Sequence, residues 1–171
     1  MGTKNDWTMC VPGTGMAGME AALVNVVEPG DQVLVCVAGA FGERMVDLAT
    51  RMGGVVSRVD AEWGTMVQPE QVKEALKTLR PKVVCIVNAE TSTGVLQPLA
   101  EIGKLAHEAG ALFLVDCVTS LGGMPVNMDA MGVDVLYSGT QKCLGAPPSL
   151  APISFSPAAV EVYRSRKTVV P

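Results

Sequence analysis

Residues 83–116 read VVCIVNAETSTGVLQPLAEIGKLAHEAGALFLVD, and this stretch decides the fold. An apolar run at 83–87 is followed by a polar loop and by a helical pattern over 98–109. A second apolar run, 112–115, ends at Asp116. Short runs of this kind are typical of strands that are buried on both faces. The stretch therefore predicts one strand–helix–strand unit of a parallel sheet.

The same alternation extends over nearly the whole chain. Further strands are predicted at 8–11, 33–37, 55–59, 133–137 and 153–155, and further helices after Gly13 and at 41–52, 68–79 and 157–166. Strands that alternate with helices predict an α/β domain with a largely parallel sheet. Ligands of such sheets gather at the carboxyl ends of the strands, so we expect the chemistry in the polar, glycine-rich segments that follow them.

Composition argues against several classes of protein. The formal net charge is −4 and there is no basic stripe, so nucleic acid is not expected as a partner. No apolar run reaches the roughly 18 residues that a membrane span requires, so no membrane partner is expected either. The five cysteines are isolated and odd in number, which indicates reduced thiols in an intracellular protein. With one histidine, His107, no metal site is expected.

A glycine-rich loop at 13–18 reads GTGMAG and matches the G-x-G-x-x-G pattern of dinucleotide-binding proteins. That function needs an acidic residue about 20 positions further on, at the end of the second strand. The second strand runs instead into Val37, Ala38 and Gly39, so we reject a dinucleotide site. Two interpretations remain open. The loop either binds an anionic phosphate through N–H groups at a helix start, with the Thr14 hydroxyl beside them, or only packs the helix on the sheet.

Two charged residues follow buried strands. Asp116 ends one strand and either caps the next turn or faces a ligand. Lys142 follows the sequence SGTQ at 138–141, and is either a surface lysine or an amine held in a cleft as a nucleophile. The combination suits pyridoxal phosphate, because an aspartate can keep the pyridine nitrogen protonated while a lysine holds the aldehyde.

Five blocks of sequence resemble the class V aminotransferases, above all the alanine–glyoxylate and serine–pyruvate or serine–glyoxylate enzymes. The blocks are GTGMAGMEAAL at 13–23, ETSTGVLQP at 90–98, VDCVTSLGG at 115–123, YSGTQKCLGAPP at 137–148 and ISFS at 153–156. Their common order over nearly the whole chain makes the resemblance specific, although each block alone is weak. It implies a three-layer α/β/α fold with a mostly parallel mixed sheet, the large domain of fold type I pyridoxal-phosphate enzymes.

The resemblance implies a role for four residues around the cofactor ring. Lys142 is expected to form the Schiff base with pyridoxal phosphate and to move the proton, and Asp116 to contact the pyridine nitrogen. Thr91 is expected near the phenolic oxygen of the cofactor. Phe41 is expected to stack on the ring, where many relatives have tryptophan. From the residues alone, Phe41 fits a core aromatic and Thr91 a turn hydroxyl just as well.

The resemblance also implies a phosphate site. Thr14, Gly15 and Met16 at the start of a helix are expected to hold the phosphate together with Gln141. Met16 replaces a polar residue of some relatives, but its backbone N–H group can still serve the phosphate.

The implied reaction is ping-pong transamination between a small amino acid, alanine or serine, and a small 2-oxo acid, glyoxylate or pyruvate. The expected protein is an intracellular homodimer, peroxisomal, cytoplasmic or mitochondrial. Family chains are longer, so residues 1–171 are expected to form the single large domain without the N-terminal segment and the small C-terminal domain. That small domain carries the arginine that binds the substrate carboxylate in relatives. We therefore expect a partial enzyme.

Two alternatives remain. The chain is either a non-catalytic or truncated cofactor-binding fragment, or a class V cysteine desulfurase or lyase. Desulfurases usually have a histidine directly before the cofactor lysine, where this chain has Gln141.

Overall fold

The computed structural model describes residues 1–170, so the domain expected over 1–171 has its last residue, Pro171, outside the described range. The strands are β1 (Trp7–Pro12), β2 (Gln32–Val37), β3 (Val55–Asp60), β4 (Val83–Val87), β5 (Ala89–Glu90), β6 (Val95–Leu96), β7 (Leu112–Asp116), β8 (Val135–Tyr137) and β9 (Leu150–Phe155). The helices are α1 (Gly15–Val26), α2 (Ala40–Arg51), α3 (Pro69–Thr78), α4 (Ala100–Glu108) and α5 (Pro157–Arg164).

Seven strands form one sheet in the order β1-β9-β8-β7-β4-β2-β3. Strands β3, β2, β4, β7 and β8 pair in parallel, whereas β9 pairs antiparallel with both β8 and β1. Among the sheet strands of the described residues, β9 alone therefore runs against the others. The expected mostly parallel mixed sheet is confirmed, and the carboxyl ends of β1, β2, β4, β7 and β8 lie at one edge.

The sheet separates two apolar layers. In β2, Val33, Val35 and Val37 belong to the apolar layer that includes residues of α1, α2 and α5, whereas Leu34 and Cys36 belong to the layer that includes residues of α3 and α4. Each such buried valine or leucine contributes about 1.5–3 kcal/mol relative to an exposed one, so burial on both faces fixes the three-layer arrangement. No helix within residues 1–170 is long and apolar enough to cross a lipid bilayer.

The structure differs from the predicted elements mainly at their ends. Strand β8 is shorter than the predicted 133–137, because the Val133 N–H group bonds to the Met128 carbonyl in the preceding turn. A second, two-stranded sheet, in which β5 and β6 form a hairpin, was not predicted. Strands of two residues are too short to show an alternating pattern.

Candidate functional site

A buried pair of side chains marks the centre of the site. Asp116 ends β7 and lies in register with Tyr137, which ends β8. The Tyr137 hydroxyl donates a hydrogen bond of 2.7 Å to Asp116 Oδ2, and the Val118 N–H group donates one of 2.7 Å to Oδ1. Asp116 therefore does cap the turn that follows its strand, one of the two roles that its position suggested. The other suggested role, contact with a ligand, is compatible with this geometry but is not tested by it.

Burial sets the ionisation of this pair. It raises the pKa of Asp116 to about 6, while the hydrogen bonds from Tyr137 and Val118 lower that pKa and the negative charge of Glu90 raises it. Burial and the neighbouring Asp116 also raise the pKa of Tyr137 well above its ordinary value, so its hydroxyl stays protonated and serves as a donor. No lysine or arginine in residues 1–170 forms an ion pair with Asp116. Asp116 is thus a buried acid without a cationic partner.

Helix α1 begins at the same edge of the sheet. Its N-cap is Thr14, which is exposed and whose side chain makes no capping hydrogen bond. The N–H groups of Ala17 and Gly18 bond to the Thr14 carbonyl, whereas those of Gly15 and Met16 have no acceptor in the described part of the chain. Free N–H groups at the positive end of a helix form a site for an anion.

The loop after β8 lies against this helix start. A Cβ atom on Gly139 would lie 3.0 Å from the Gly15 backbone nitrogen and 2.8 Å from Gln141 Oε1, so the close approach requires glycine. Gln141 Oε1 is buried and has no hydrogen-bond partner within residues 1–170. The fit of Gly139 therefore places Gln141 beside the free N–H groups of α1.

Lys142 lies on an exposed turn next to the loop that follows Asp116. The Gly145 N–H group donates a 3.0 Å hydrogen bond to the Lys142 carbonyl, which closes the turn. Cys143 Sγ lies 3.2 Å from the Thr119 carbonyl oxygen, three residues beyond Asp116. This contact fixes the turn that carries Lys142 against the end of β7.

Phe41 and Thr91 lie on two further segments, the start of α2 and the β5–β6 hairpin. Phe41 is half-buried in the first turn of α2 and packs against the core. Thr91 is exposed at the tip of the β5–β6 hairpin, and its hydroxyl lies 3.4 Å from Thr119 Oγ1. The Thr119 hydroxyl in turn donates to the Ala89 carbonyl. Hydrogen bonds thus join the hairpin to the loop after Asp116.

The structure therefore brings the predicted site residues to one edge of the sheet; their roles remain predictions. Three neighbours of the site were not singled out from the sequence, namely Tyr137, Val118 and Glu90. Val118 packs at the start of α1, since a Cβ atom on Gly15 would lie 2.7 Å from Val118 Cγ2. Glu90 left one signal in the sequence, a carboxylate soon after a fully apolar strand.

The unpartnered groups define which ligand fits. The free N–H groups of Gly15 and Met16 suit an anion, whereas the unpartnered atom of Gln141, Oε1, is an acceptor and suits a donor. The buried Asp116 suits a cation. Pyridoxal phosphate has a phosphate and a ring nitrogen that binds a proton, so it carries both kinds of group on one rigid ring. The residues present fit this cofactor.

The chain is similar to several known proteins. The sequence profile of the family described as aminotransferase class-V matches residues 2–151. The chain is 41% identical over 167 residues to (S)-ureidoglycine–glyoxylate transaminase of Bacillus subtilis, covering 98% of the chain and 40% of that protein. It is 45% identical over 167 residues to alanine–glyoxylate aminotransferase of Drosophila melanogaster, covering 97% of the chain and 42% of the relative.

The similarity extends to solved structures. The crystal structure of an alanine–glyoxylate aminotransferase from Nostoc sp. superposes with a TM-score of 0.96 at 49% identity, covering 99% of this chain and 45% of that one. The chain thus spans less than half the length of the relatives it matches.

Proposed function

This chain belongs to the class-V aminotransferase family, and we propose that it forms the cofactor-binding part of an enzyme that transfers an amino group from alanine or serine to glyoxylate or pyruvate. The family in general depends on pyridoxal phosphate. The observation that carries the proposal is the convergence of Asp116, the Lys142 turn and the free start of α1 at one sheet edge.

The phosphate end of the cofactor fits the start of α1. The N–H groups of Gly15 and Met16, the Thr14 hydroxyl and the Gln141 amide would donate to the phosphate oxygens. The positive end of the helix dipole adds to this attraction. The two backbone donors are already ordered by α1, so little order has to be gained at these groups when the anion binds.

The other residues would hold the ring. Asp116 would accept a hydrogen bond from the protonated pyridine nitrogen and keep it protonated, and the bonds that Asp116 accepts from Tyr137 and Val118 hold its carboxylate in place. Phe41 would stack on the ring and Thr91 would bond to its phenolic oxygen. Bound pyridoxal phosphate supplies an electron sink for the electrons released at the substrate α-carbon.

Lys142 would have two tasks. Its amine would hold the cofactor aldehyde covalently until the amine of the substrate displaces it. Once free, the same amine would remove the proton from the substrate α-carbon, because it remains tethered beside that atom by its turn. The exposed position of the turn gives an incoming amino acid access to Lys142.

The substrate carboxylate needs a cation that these residues do not supply. Arg58, in β3, is held by Glu43 at 2.6 Å and by Asp60, so its charge is already paired. We propose that the carboxylate-binding group lies outside residues 1–170, and that 1–171 correspond to a large domain that is a partial enzyme. The homodimer, the compartment and the identity of both substrates belong to this proposal.

A half-reaction assay on the whole protein tests the proposed function. Alanine or serine should convert the bound cofactor from its aldehyde to its amine form and release a 2-oxo acid, and glyoxylate should reverse the change. Lys142→Ala should abolish the conversion, while the matched control Lys167→Ala, at an exposed site near the chain end, should leave it intact. Sulfide release from cysteine in place of these changes would identify a desulfurase and contradict the proposal.

A further inference from the structure

Glu90 is a buried carboxylate to which the proposed function gives no task. Only 2% of it is exposed. Its Oε2 atom accepts hydrogen bonds from the N–H groups of Phe41 at 3.1 Å and Gly42 at 3.3 Å. Its Oε1 atom accepts from the Ser92 N–H group at 3.1 Å and the Ser92 hydroxyl at 2.7 Å. These donors match the acceptor capacity of an ionised carboxylate, which has no hydrogen to donate.

Ser92 completes the cap of α2. Its hydroxyl accepts a 2.9 Å hydrogen bond from the Ala40 N–H group while donating to Glu90. The Glu43 N–H group bonds to the Gly39 carbonyl at 3.1 Å. The N–H groups at the start of a helix normally lack partners, and here the hairpin supplies partners for the first three. The negative carboxylate also interacts favourably with the positive end of the helix.

Gly39 shows how closely the hairpin and the helix fit. A Cβ atom on Gly39 would lie 2.5 Å from Glu90 Cγ and 2.5 Å from Ser92 Oγ. The requirement for glycine is steric, because the φ angle of 165° is extended backbone that any residue adopts. The start of α2 is therefore fixed by direct contact with the hairpin.

We propose that Glu90 is a positioning residue that fixes Phe41 for contact with the cofactor ring, an inference that rests on the proposed function. Glu90 accepts a hydrogen bond from the backbone N–H group of Phe41, so the backbone that carries the aromatic side chain is held in place. An aromatic ring contributes fully to a ligand site only when its backbone and rotamer are held in place. The acceptor comes from a hairpin that is distant from α2 in sequence, so this bond forms only in the folded structure.

Glu90→Gln tests the proposal with two readouts. The amide offers one oxygen in place of two, so its NH₂ group faces either the helix donors or the Ser92 donors. In the cofactor-free protein, hydrogen exchange at Phe41 and Gly42 should become at least about tenfold faster. With cofactor, the dissociation constant of pyridoxal phosphate should rise by about tenfold and the circular dichroism of the bound cofactor should weaken.

A matched control and a double-mutant cycle separate positioning from general stability. Glu43→Gln removes a half-buried carboxylate from the same helical turn, one that pairs with Arg58, and should change neither readout. In a Phe41→Ala background, Glu90→Gln should change the dissociation constant by less than about twofold, because its effect acts through Phe41. Equal losses of affinity in both backgrounds would overturn the proposal, as would unchanged exchange at Phe41 and Gly42.

A milder variant covers the case in which Glu90→Gln does not fold. Ser92→Ala removes the acceptor of the Ala40 N–H group and one donor to Glu90, and should speed exchange at Ala40. Unchanged exchange there would count against the cap. If the parent protein binds no pyridoxal phosphate, the proposed function fails, whereas the exchange data still decide whether Glu90 fixes the start of α2.

Discussion

The hydroxyl of Tyr137 donates a 2.7 Å hydrogen bond to Oδ2 of Asp116, and both side chains are buried. The two residues end neighbouring parallel strands in register, so the sheet itself sets their separation. Water cannot readily replace this donor, because neither side chain is accessible to solvent. The bond therefore favours the charged form of Asp116, against a burial that disfavours it.

Asp116 should make the cofactor-free protein more stable in mild acid. Its folded pKa of about 6 lies above the ordinary 3.8, so protonation favours the fold. This contribution is present in full below about pH 4 and is lost as the pH rises through about 6, a change of about 3 kcal/mol. Denaturant unfolding of the parent and of Asp116→Asn measures it.

The free energy of unfolding of the parent minus that of Asp116→Asn should therefore fall by about 3 kcal/mol between acid and neutral pH. Glu28, whose pKa hydrogen bonds from Thr168 lower to about 2, contributes stability that is lost only at more acid pH. It contributes equally in both proteins, so it cancels in the difference. A difference that stays constant with pH would show that the pKa of Asp116 is not raised.

Tyr137→Phe should move this pH dependence to higher pH. The variant removes the strongest donor to Asp116, so the pKa of Asp116 rises further, and the lost bond to a charged group costs about 1.5–3 kcal/mol at neutral pH. Tyr163→Phe is the control, since that ring lies on α5 with its centroid 5.4 Å from that of Trp7. An unshifted unfolding profile for Tyr137→Phe would mean that the hydrogen bond does not tune Asp116.

Replacing Thr14 and Gln141 together by alanine should weaken pyridoxal phosphate binding more than pyridoxal binding. Each lost hydrogen bond to the phosphate should cost about 1.5–3 kcal/mol, whereas pyridoxal makes no such bond. Absorbance titration with both ligands measures the difference. The control pair Thr50→Ala and Gln32→Ala lies on a helix surface and at the start of β2, away from the site. Equal losses for the two ligands would argue against a phosphate site here.

The cysteines should fall into two classes of reactivity. Cys10 and Cys143 are exposed, whereas Cys36, Cys85 and Cys117 are buried. Burial raises the pKa of Cys36 and Cys117 to about 12, so little reactive thiolate forms there at neutral pH. A disulfide reagent should modify Cys10 and Cys143 in the native protein, and the others only after unfolding. Rapid modification of a third thiol in the native protein would show that the core is open to solvent.

The sequence predicts the sheet well, and it predicts that the candidate site residues follow strands of that sheet, for a physical reason. A strand buried on both faces appears as an apolar run, and a polar residue at its end, such as Asp116, marks the edge where such strands stop. Lys142 follows the same rule after β8. The sequence does not predict that β9 is antiparallel, because an apolar run has the same pattern in a parallel and in an antiparallel strand.

Local sequence patterns do not predict the role of Glu90. A glutamate is normally expected at the surface, and its burial is tolerated here because donors from Phe41, Gly42 and Ser92 surround it. Those helix donors lie nearly fifty positions earlier in the chain, so only the folded structure brings them together. Tyr137 is similar, since its bond to Asp116 depends on the pairing of two strands.

The proposed function depends most directly on Lys142. Protein incubated with pyridoxal phosphate, reduced with borohydride and digested should yield one labelled peptide, with the cofactor fixed on Lys142. The contact between Cys143 Sγ and the Thr119 carbonyl holds the turn that carries Lys142 beside the loop that follows β7. Mass mapping of the reduced protein shows which lysine binds the cofactor. The predicted result is a label on Lys142. A label on Lys4, Lys73 or Lys167 with none on Lys142 would contradict the proposed function.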